Sequence, residues 1–295
     1  KQEILEIIRN TNRRPAQTGK PLYPEEIMAY PNLCEEIESI SRTVDGFSYR
    51  MDILRAKNRG ENCPLFINIH GGGFIGPHRE NDTYFSAYMA DQIHGITVDL
   101  DYTLSDAAPY PVALHQCMDA LDYVAEHANT WGASAKDISV GGYSAGGALT
   151  AAMGICCAER GGFVPKLQIL SYPPLEYRIP DQYKIDAYDR QIGMERCKAF
   201  ADLYFDDKKE NFEDIHNSPL YAPREILAKQ PKTLILSAGL CNFRYEDEDY
   251  AICLADAGAE VILKRFPEAS HGFIPHFMDG WKEAADLMVR EILEK

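Results

Sequence analysis

Ser144 stands in Gly142-Tyr143-Ser144-Ala145-Gly146-Gly147, directly after the apolar run Ile138-Ser139-Val140. The spacing Gly-x-Ser-x-Gly fits a nucleophile elbow, in which a serine occupies a sharp turn between a strand and a helix. Glycines at 142 and 146 would let strand, turn and helix crowd together without Cβ clashes. The turn would push the Ser144 hydroxyl clear of the backbone. The unpaired N–H groups at the start of the next helix would point at the same spot. That arrangement is suited to attack on a carbonyl. Taken alone, the motif is also an ordinary glycine-rich strand-to-helix turn, so its meaning depends on the rest of the chain.

A second element lies about seventy residues upstream, where the apolar run Pro64–Ile69 ends in His70-Gly71-Gly72-Gly73-Phe74. Consecutive glycines let backbone N–H groups turn inward and approach a ligand closely. A tetrahedral intermediate needs such donors at its developing oxyanion, and one donor is worth about 2.7–4 kcal/mol in the transition state. The donors expected here are the N–H groups of Gly71, Gly72 and Ala145. A phosphate cradle is the competing reading, but no Gly-Lys-Ser/Thr follows. His70 is expected to brace this loop rather than act as a base. The base is expected at His271, in Phe266-Pro267-Glu268-Ala269-Ser270-His271-Gly272-Phe273. It follows a strand-like segment and precedes the last helix, and small neighbours leave its ring room to reach Ser144.

The elements that must position these groups alternate. A hairpin is expected over 43–54, turning at Asp45-Gly46. Strands follow at 64–69, 95–101, 137–141, 166–171, 232–238 and 260–265, with helices at 81–93, 112–128, 145–160, 245–257 and 281–294. Alternation of this kind makes an α/β fold, a mostly parallel sheet covered by helices on both faces. Active groups would then gather at the carboxyl ends of the strands.

These motifs together resemble the hormone-sensitive-lipase-like branch of the α/β-hydrolase superfamily, the bacterial esterase and acetyl esterase group. The likeness runs over roughly residues 45–290. His70-Gly71-Gly72-Gly73-Phe74 matches the family's oxyanion motif. Asp101-Tyr102-Thr103-Leu104 with Pro109-Tyr110-Pro111-Val112-Ala113 resembles its D-Y-R-L-A-P…P-F-P-A segment, with Thr103 in place of arginine. Gly142–Gly147 resembles its G-D-S-A-G-G, with Tyr143 for the aspartate, and Ser218-Pro219-Leu220 and His271-Gly272-Phe273 also fit. The resemblance implies an eight-stranded α/β-hydrolase sheet, one domain spanning 1–295, and a small cap built from about 1–40 and 174–222. It implies hydrolysis of short-chain, acetyl-like esters through an acyl-enzyme, with Ser144 as nucleophile, His271 as base and no cofactor. Phe74 and Tyr143 are the expected pocket walls. A homodimer paired through edge strands is a further implication.

One departure bears on mechanism. The family's acid sits after the seventh strand, in a segment like D-P-L-R-D-E. Aligning Cys241-Asn242-Phe243-Arg244-Tyr245-Glu246 on Arg244, Tyr250 and Ala251 puts Cys241 where the aspartate belongs. Three readings stand. Glu246, or failing it Asp247, reaches His271 as the acid. Alternatively Cys241 or Asn242 merely orients the ring, leaving a Ser–His dyad. Or the acid was lost along with the activity, leaving a ligand-binding homologue of the gibberellin-receptor kind. An amidase or arylformamidase on the same scaffold is a further alternative.

Composition sets bounds. The chain has 295 residues, 45% of them hydrophobic, and a net charge of −15. That length can bury one large core. The acidity argues against nucleic acid and anionic membranes, which need clustered Lys and Arg. The partner expected is a small-molecule ester. Eight cysteines are scattered without C-x-x-C or His/Cys ligand spacing, so no metal site is expected. Reduced thiols, and no evident signal peptide or membrane span, point to the cytoplasm. The chain begins at Lys1 without methionine, which leaves a removed leader open.

Overall fold

The computed structural model describes residues 22–179, 194–206 and 208–294. The amphipathic stretch at Ile4–Ile8, and the aromatics Tyr183 and Tyr188 of the expected cap, lie outside them. Eight strands form one sheet: β1 (Glu38–Val44), β2 (Phe47–Arg55), β3 (Cys63–Ile69), β4 (Ile96–Asp101), β5 (Ala133–Tyr143), β6 (Leu167–Ser171), β7 (Lys232–Ala238) and β8 (Val261–Phe266). Their order is β1-β2-β4-β3-β5-β6-β7-β8. β2 pairs antiparallel with both β1 and β4, and every later pairing is parallel. The longer helices are α1 (Glu80–Gln92), α2 (Val112–His127), α3 (Ala145–Arg160), α4 (Met194–Phe205), α5 (Arg244–Ala257) and α6 (Trp281–Leu293).

Strand periodicity sorts the core into two layers. Leu65, Ile67 and Ile69 of β3 join Ile138 and Val140 of β5 on the face covered by α2 and α3. Phe66 points the other way, into a layer with Phe85 of α1, Ile169, Leu234 and Met288 of α6. Central strands buried on both faces explain the continuous apolar runs seen in the sequence. Each fully buried large side chain contributes about 1.5–3 kcal/mol. α6 carries the clearest helical stripe, burying Ala284, Ala285, Met288 and Ile292 against this second layer.

The structure moves the sequence-based boundaries by a residue or two, except at β1, which starts at Glu38, five residues before the expected 43, and at β5. That strand starts at Ala133, four residues before the expected 137, because Ala133 pairs with Cys63 across an irregularity in β3. Among the described residues, no helix is long and apolar enough to cross a membrane. All eight cysteines are free thiols.

Candidate active site

β5 ends at Tyr143 and α3 starts at Ala145, leaving Ser144 alone at the turn with φ 52° and ψ −118°. A positive φ at a serine costs of order 1–3 kcal/mol and persists only where its surroundings enforce it. Here they do. The Ser144 N–H donates to the Ser171 carbonyl at 2.9 Å, tying the turn to β6. A Cβ on Gly142 would sit 2.4 Å from the Gly146 carbonyl, and one on Gly146 would sit 2.1 Å from the Ile69 oxygen. Both flanking glycines are therefore dictated by close backbone packing.

The loop after β3 lies against this turn. A Cβ on Gly71 would meet the Tyr143 oxygen at 2.8 Å and the Ser144 Cβ at 3.4 Å. Gly72 and Gly73 both have positive φ, and the Gly76 N–H closes a turn onto the Gly72 carbonyl at 2.8 Å. His70 is the brace the sequence implied. It is fully buried, stacks on Tyr102 at 4.3 Å, and its Nδ1 lies 2.7 Å from the Gly71 oxygen. Burial pulls its pKa down to about 4, so the ring is neutral and Nδ1–H donates to that carbonyl. Behind it, His78 Nε2 meets Asp99 at 2.7 Å, and Asn68 donates to Asp99 and to Ser86. Burial opposes charge on His78, yet the Asp99 carboxylate prevails and raises it to about 9. This ion pair ties β4 to the segment that follows the glycine-rich loop after β3.

His271 Nε2 lies 2.9 Å from Ser144 Oγ, and its Nδ1 lies 3.1 Å from Cys241 Sγ. Two loops must close together to make this contact. Gly239 N–H donates to the Phe266 carbonyl and Leu240 N–H to the Ala269 carbonyl, zipping the turn after β7 to the turn after β8. A Cβ on Gly239 would sit 2.1 Å from the Pro267 oxygen, so glycine is required there. Tyr172 and Phe243 flank the imidazole edge-on, at 5.0 and 5.6 Å. Enclosure first, then the positive fields of Arg196 and His276, push His271 down to about 3. The ring is therefore neutral at pH 7.

The candidate carboxylates are placed elsewhere. Glu246 Oε2 accepts the N–H groups of Leu175 and Glu176, at 2.8 and 3.0 Å. It anchors the chain leaving β6, while the ring nitrogen meant for it faces Cys241. Burial drives the pKa of Asp247 well above the ordinary carboxylate range. Burial likewise raises the Cys241 thiol well above its usual range, and Phe243 N–H donates to its sulfur at 3.4 Å. An uncharged thiol thus faces Nδ1 of His271. Glu246→Ala should lower the unfolding free energy by about 1–3 kcal/mol, because two buried amides lose their acceptor. Denaturant melts check this, and the pH dependence of turnover should not move.

A family model for the alpha/beta hydrolase fold matches residues 66–275. The chain belongs to this family. Esterase LipI of Mycobacterium tuberculosis is 30% identical over 217 residues, 72% of this chain and 66% of the relative. Bovine hormone-sensitive lipase is 29% identical over 120 residues, 41% of this chain and 16% of the relative. The chain spans less than two thirds of the length of either relative. A thermostable esterase from Pseudomonas putida superposes with a TM-score of 0.77 at 25% identity, covering 99% of this chain and 95% of that one.

The α/β-hydrolase cavity above Ser144 and His271 holds about 550 Å³. Gly71, Gly72, Tyr143, Tyr172, Arg79 and Arg196 are among the residues that line it. Phe74, expected as a pocket wall, is not part of this lining. It is buried and stacks on Tyr204 of α4 at 3.7 Å, so it docks that helix instead. Sequence reading missed Tyr172, Arg79 and Arg196. Tyr172 sits directly after β6, a carboxyl-end position that was available as a signal. The two arginines gave none, since nothing local places them at the cavity.

Proposed function

We propose that the protein is a serine-dependent carboxylic ester hydrolase acting on short acyl groups, with the Cys241 thiol standing in for the triad carboxylate. The observation that carries this is the chain of contacts from Ser144 Oγ to His271 Nε2 at 2.9 Å and from His271 Nδ1 to Cys241 Sγ at 3.1 Å. Ser144 attacks the ester carbonyl while His271 takes its proton. The N–H groups of Gly71, Gly72 and Ala145 receive the oxyanion. His271 then protonates the departing alcohol and activates water to free the acid. Relatives named as esterases support the reaction class, and the modest cavity supports small acyl groups.

The thiol has a cost. A triad carboxylate fixes the tautomer with hydrogen on Nδ1 and stabilises the imidazolium that forms. A neutral thiol is a weak acceptor, and it can equally donate its own hydrogen to Nδ1. In that second tautomer Nε2 carries the hydrogen and cannot take the serine's proton. This favours, as a second reading, a weakened or silent homologue that binds ligand. A fluorophosphonate probe separates the two: labelling of Ser144 supports the hydrolase, and no labelling supports the binder. Comparing 4-nitrophenyl acetate with an N-formyl arylamine tests for an amidase.

Gly71→Ala should reduce kcat by about 10²–10³, the cost of losing one oxyanion donor. The added methyl would strike the Tyr143 carbonyl at 2.8 Å and force the loop away from Ser144. Steady-state kinetics should show the loss in kcat rather than in KM, since the oxyanion forms after binding.

A further inference from the structure

Among the described residues, the cavity lining carries a charge opposite to that of the whole protein. The chain carries a net charge of −15, yet Arg79 and Arg196 both line the space above the nucleophile. Among the described lining residues Asp82 is the one carboxylate. Its Oδ2 already accepts the Arg79 backbone N–H at 2.9 Å, and its Oδ1 faces the Asn81 amide at 3.4 Å. Burial raises Asp82 to about 7, so near neutral pH much of its charge is absent.

Arg196 is held over the reaction centre. Its guanidinium lies 5.1 Å above the Phe200 ring, and that ring rests on the oxyanion loop, where a Cβ on Gly73 would come within 2.5 Å of it. Its positive field reaches His271; burial lowers its own pKa, Cys197 opposes that, and the Arg79 charge adds a smaller lowering. A carboxylate entering this space would meet both positive charges. A guanidinium has five N–H donors in a fork that matches a carboxylate, so contacts with protein leave donors for a ligand.

We infer that the Arg79–Arg196 side of the cavity is an anion subsite, and that the substrates are small esters carrying a carboxylate. The inference rests on the ester-hydrolase reading above and specifies its substrate class. The anion sits on either the acyl or the alcohol side of the ester, and the experiment distinguishes them. 4-Nitrophenyl hydrogen succinate, compared with 4-nitrophenyl butyrate, places the charge on the acyl side. 4-Acetoxybenzoate, compared with its methyl ester, places it on the alcohol side. For at least one pair, kcat/KM should favour the anionic member by about ten- to hundredfold, the range of a charge-assisted bond. The preference should shrink as salt rises. Arg196→Gln should bring the ratio close to one, Arg196→Lys should restore part of it, and Arg79→Gln should lower it. Taking the ratio cancels any general loss of activity.

Neutral esters preferred in both pairs, or ratios unmoved by both glutamine variants, would overturn the subsite and leave the hydrolase reading intact. If no ester is turned over, the hydrolase reading fails, and binding decides the subsite. Calorimetry of Ser144→Ala with monomethyl succinate and with methyl butyrate should show tighter binding of the anion, weakened about tenfold or more by Arg196→Gln. Equal affinity for both ligands would overturn it.

Discussion

Ser144→Ala should lower kcat by about 10³–10⁴ and leave the protein folded. In a complete serine triad, losing the nucleophile costs about 2 × 10⁶, while losing the acid alone costs about 3 × 10⁴. On the proposed mechanism a thiol holds the acid position, so part of that advantage is already missing from the native protein. The drop on removing Ser144 therefore measures how well Cys241 substitutes for a carboxylate. A drop near 10² would mean that the thiol contributes almost nothing, and one near 10⁶ that it equals an aspartate. Single-turnover assays with an activated acetate ester give the number, and a fluorophosphonate should no longer label the variant. Turnover that survives the substitution within about tenfold would rule out Ser144 as the nucleophile.

The second large effect runs the other way. Cys241→Asp should raise kcat/KM by about 10²–10³, within the ceiling of about 10⁴ set by removal of a triad aspartate. The carboxylate would accept from Nδ1–H of His271, leaving Nε2 as the base, and would stabilise the imidazolium. The Phe243 N–H that now reaches the Cys241 sulfur would help to hold the new carboxylate in its charged form. The gain here and the loss at Ser144 are two parts of one span, so their product should come to about 10⁶.

The same substitution has a pH signature. His271 now has its pKa pushed down to about 3, mainly by enclosure and then by Arg196 and His276. Its kcat/KM profile should therefore show no acid limb across the ordinary histidine range. A carboxylate at 241 raises the pKa of the base, so the limb should move up towards neutral pH. Stability follows the same sign. A histidine with a depressed folded pKa binds fewer protons than the unfolded chain. Its contribution is intact above the unfolded value near 6.5 and is lost as pH falls towards about 3. Cys241→Asp should lessen that loss, as acid titration of the melting temperature would show. If Cys241→Asp changes nothing while Glu246→Gln removes activity, the acid role passes to Glu246.

Much of this was written locally along the chain. A nucleophile elbow needs glycines two residues either side of its serine, because the backbones that pack there leave no room for Cβ. Gly142 and Gly146 are legible for that reason. The glycine run after β3 is legible likewise, since Gly72 and Gly73 have positive φ. Strand and helix periods placed the sheet because the hydrophobic effect requires each element to bury a face, and that demand repeats every two or about 3.6 residues. His271 was legible by its position after the last strand.

What met His271 was not local. Cys241 and Glu246 lie five residues apart on one loop and helix start, and sequence alone gave either a route to the ring. The choice was made by Gly239, which lets the loops after β7 and β8 close, and by the Leu175 and Glu176 amides, which claim the Glu246 carboxylate. Phe74 was decided in the same way, by Tyr204 about 130 residues later, and the cavity's arginines by the packing that brings Arg79 and Arg196, over a hundred residues apart, to one space. Short-range pattern specifies which elements form and where a nucleophile is exposed. Which partner each polar group finds is settled only when distant segments compete for it in the packed state, and no local pattern encodes the outcome of that competition.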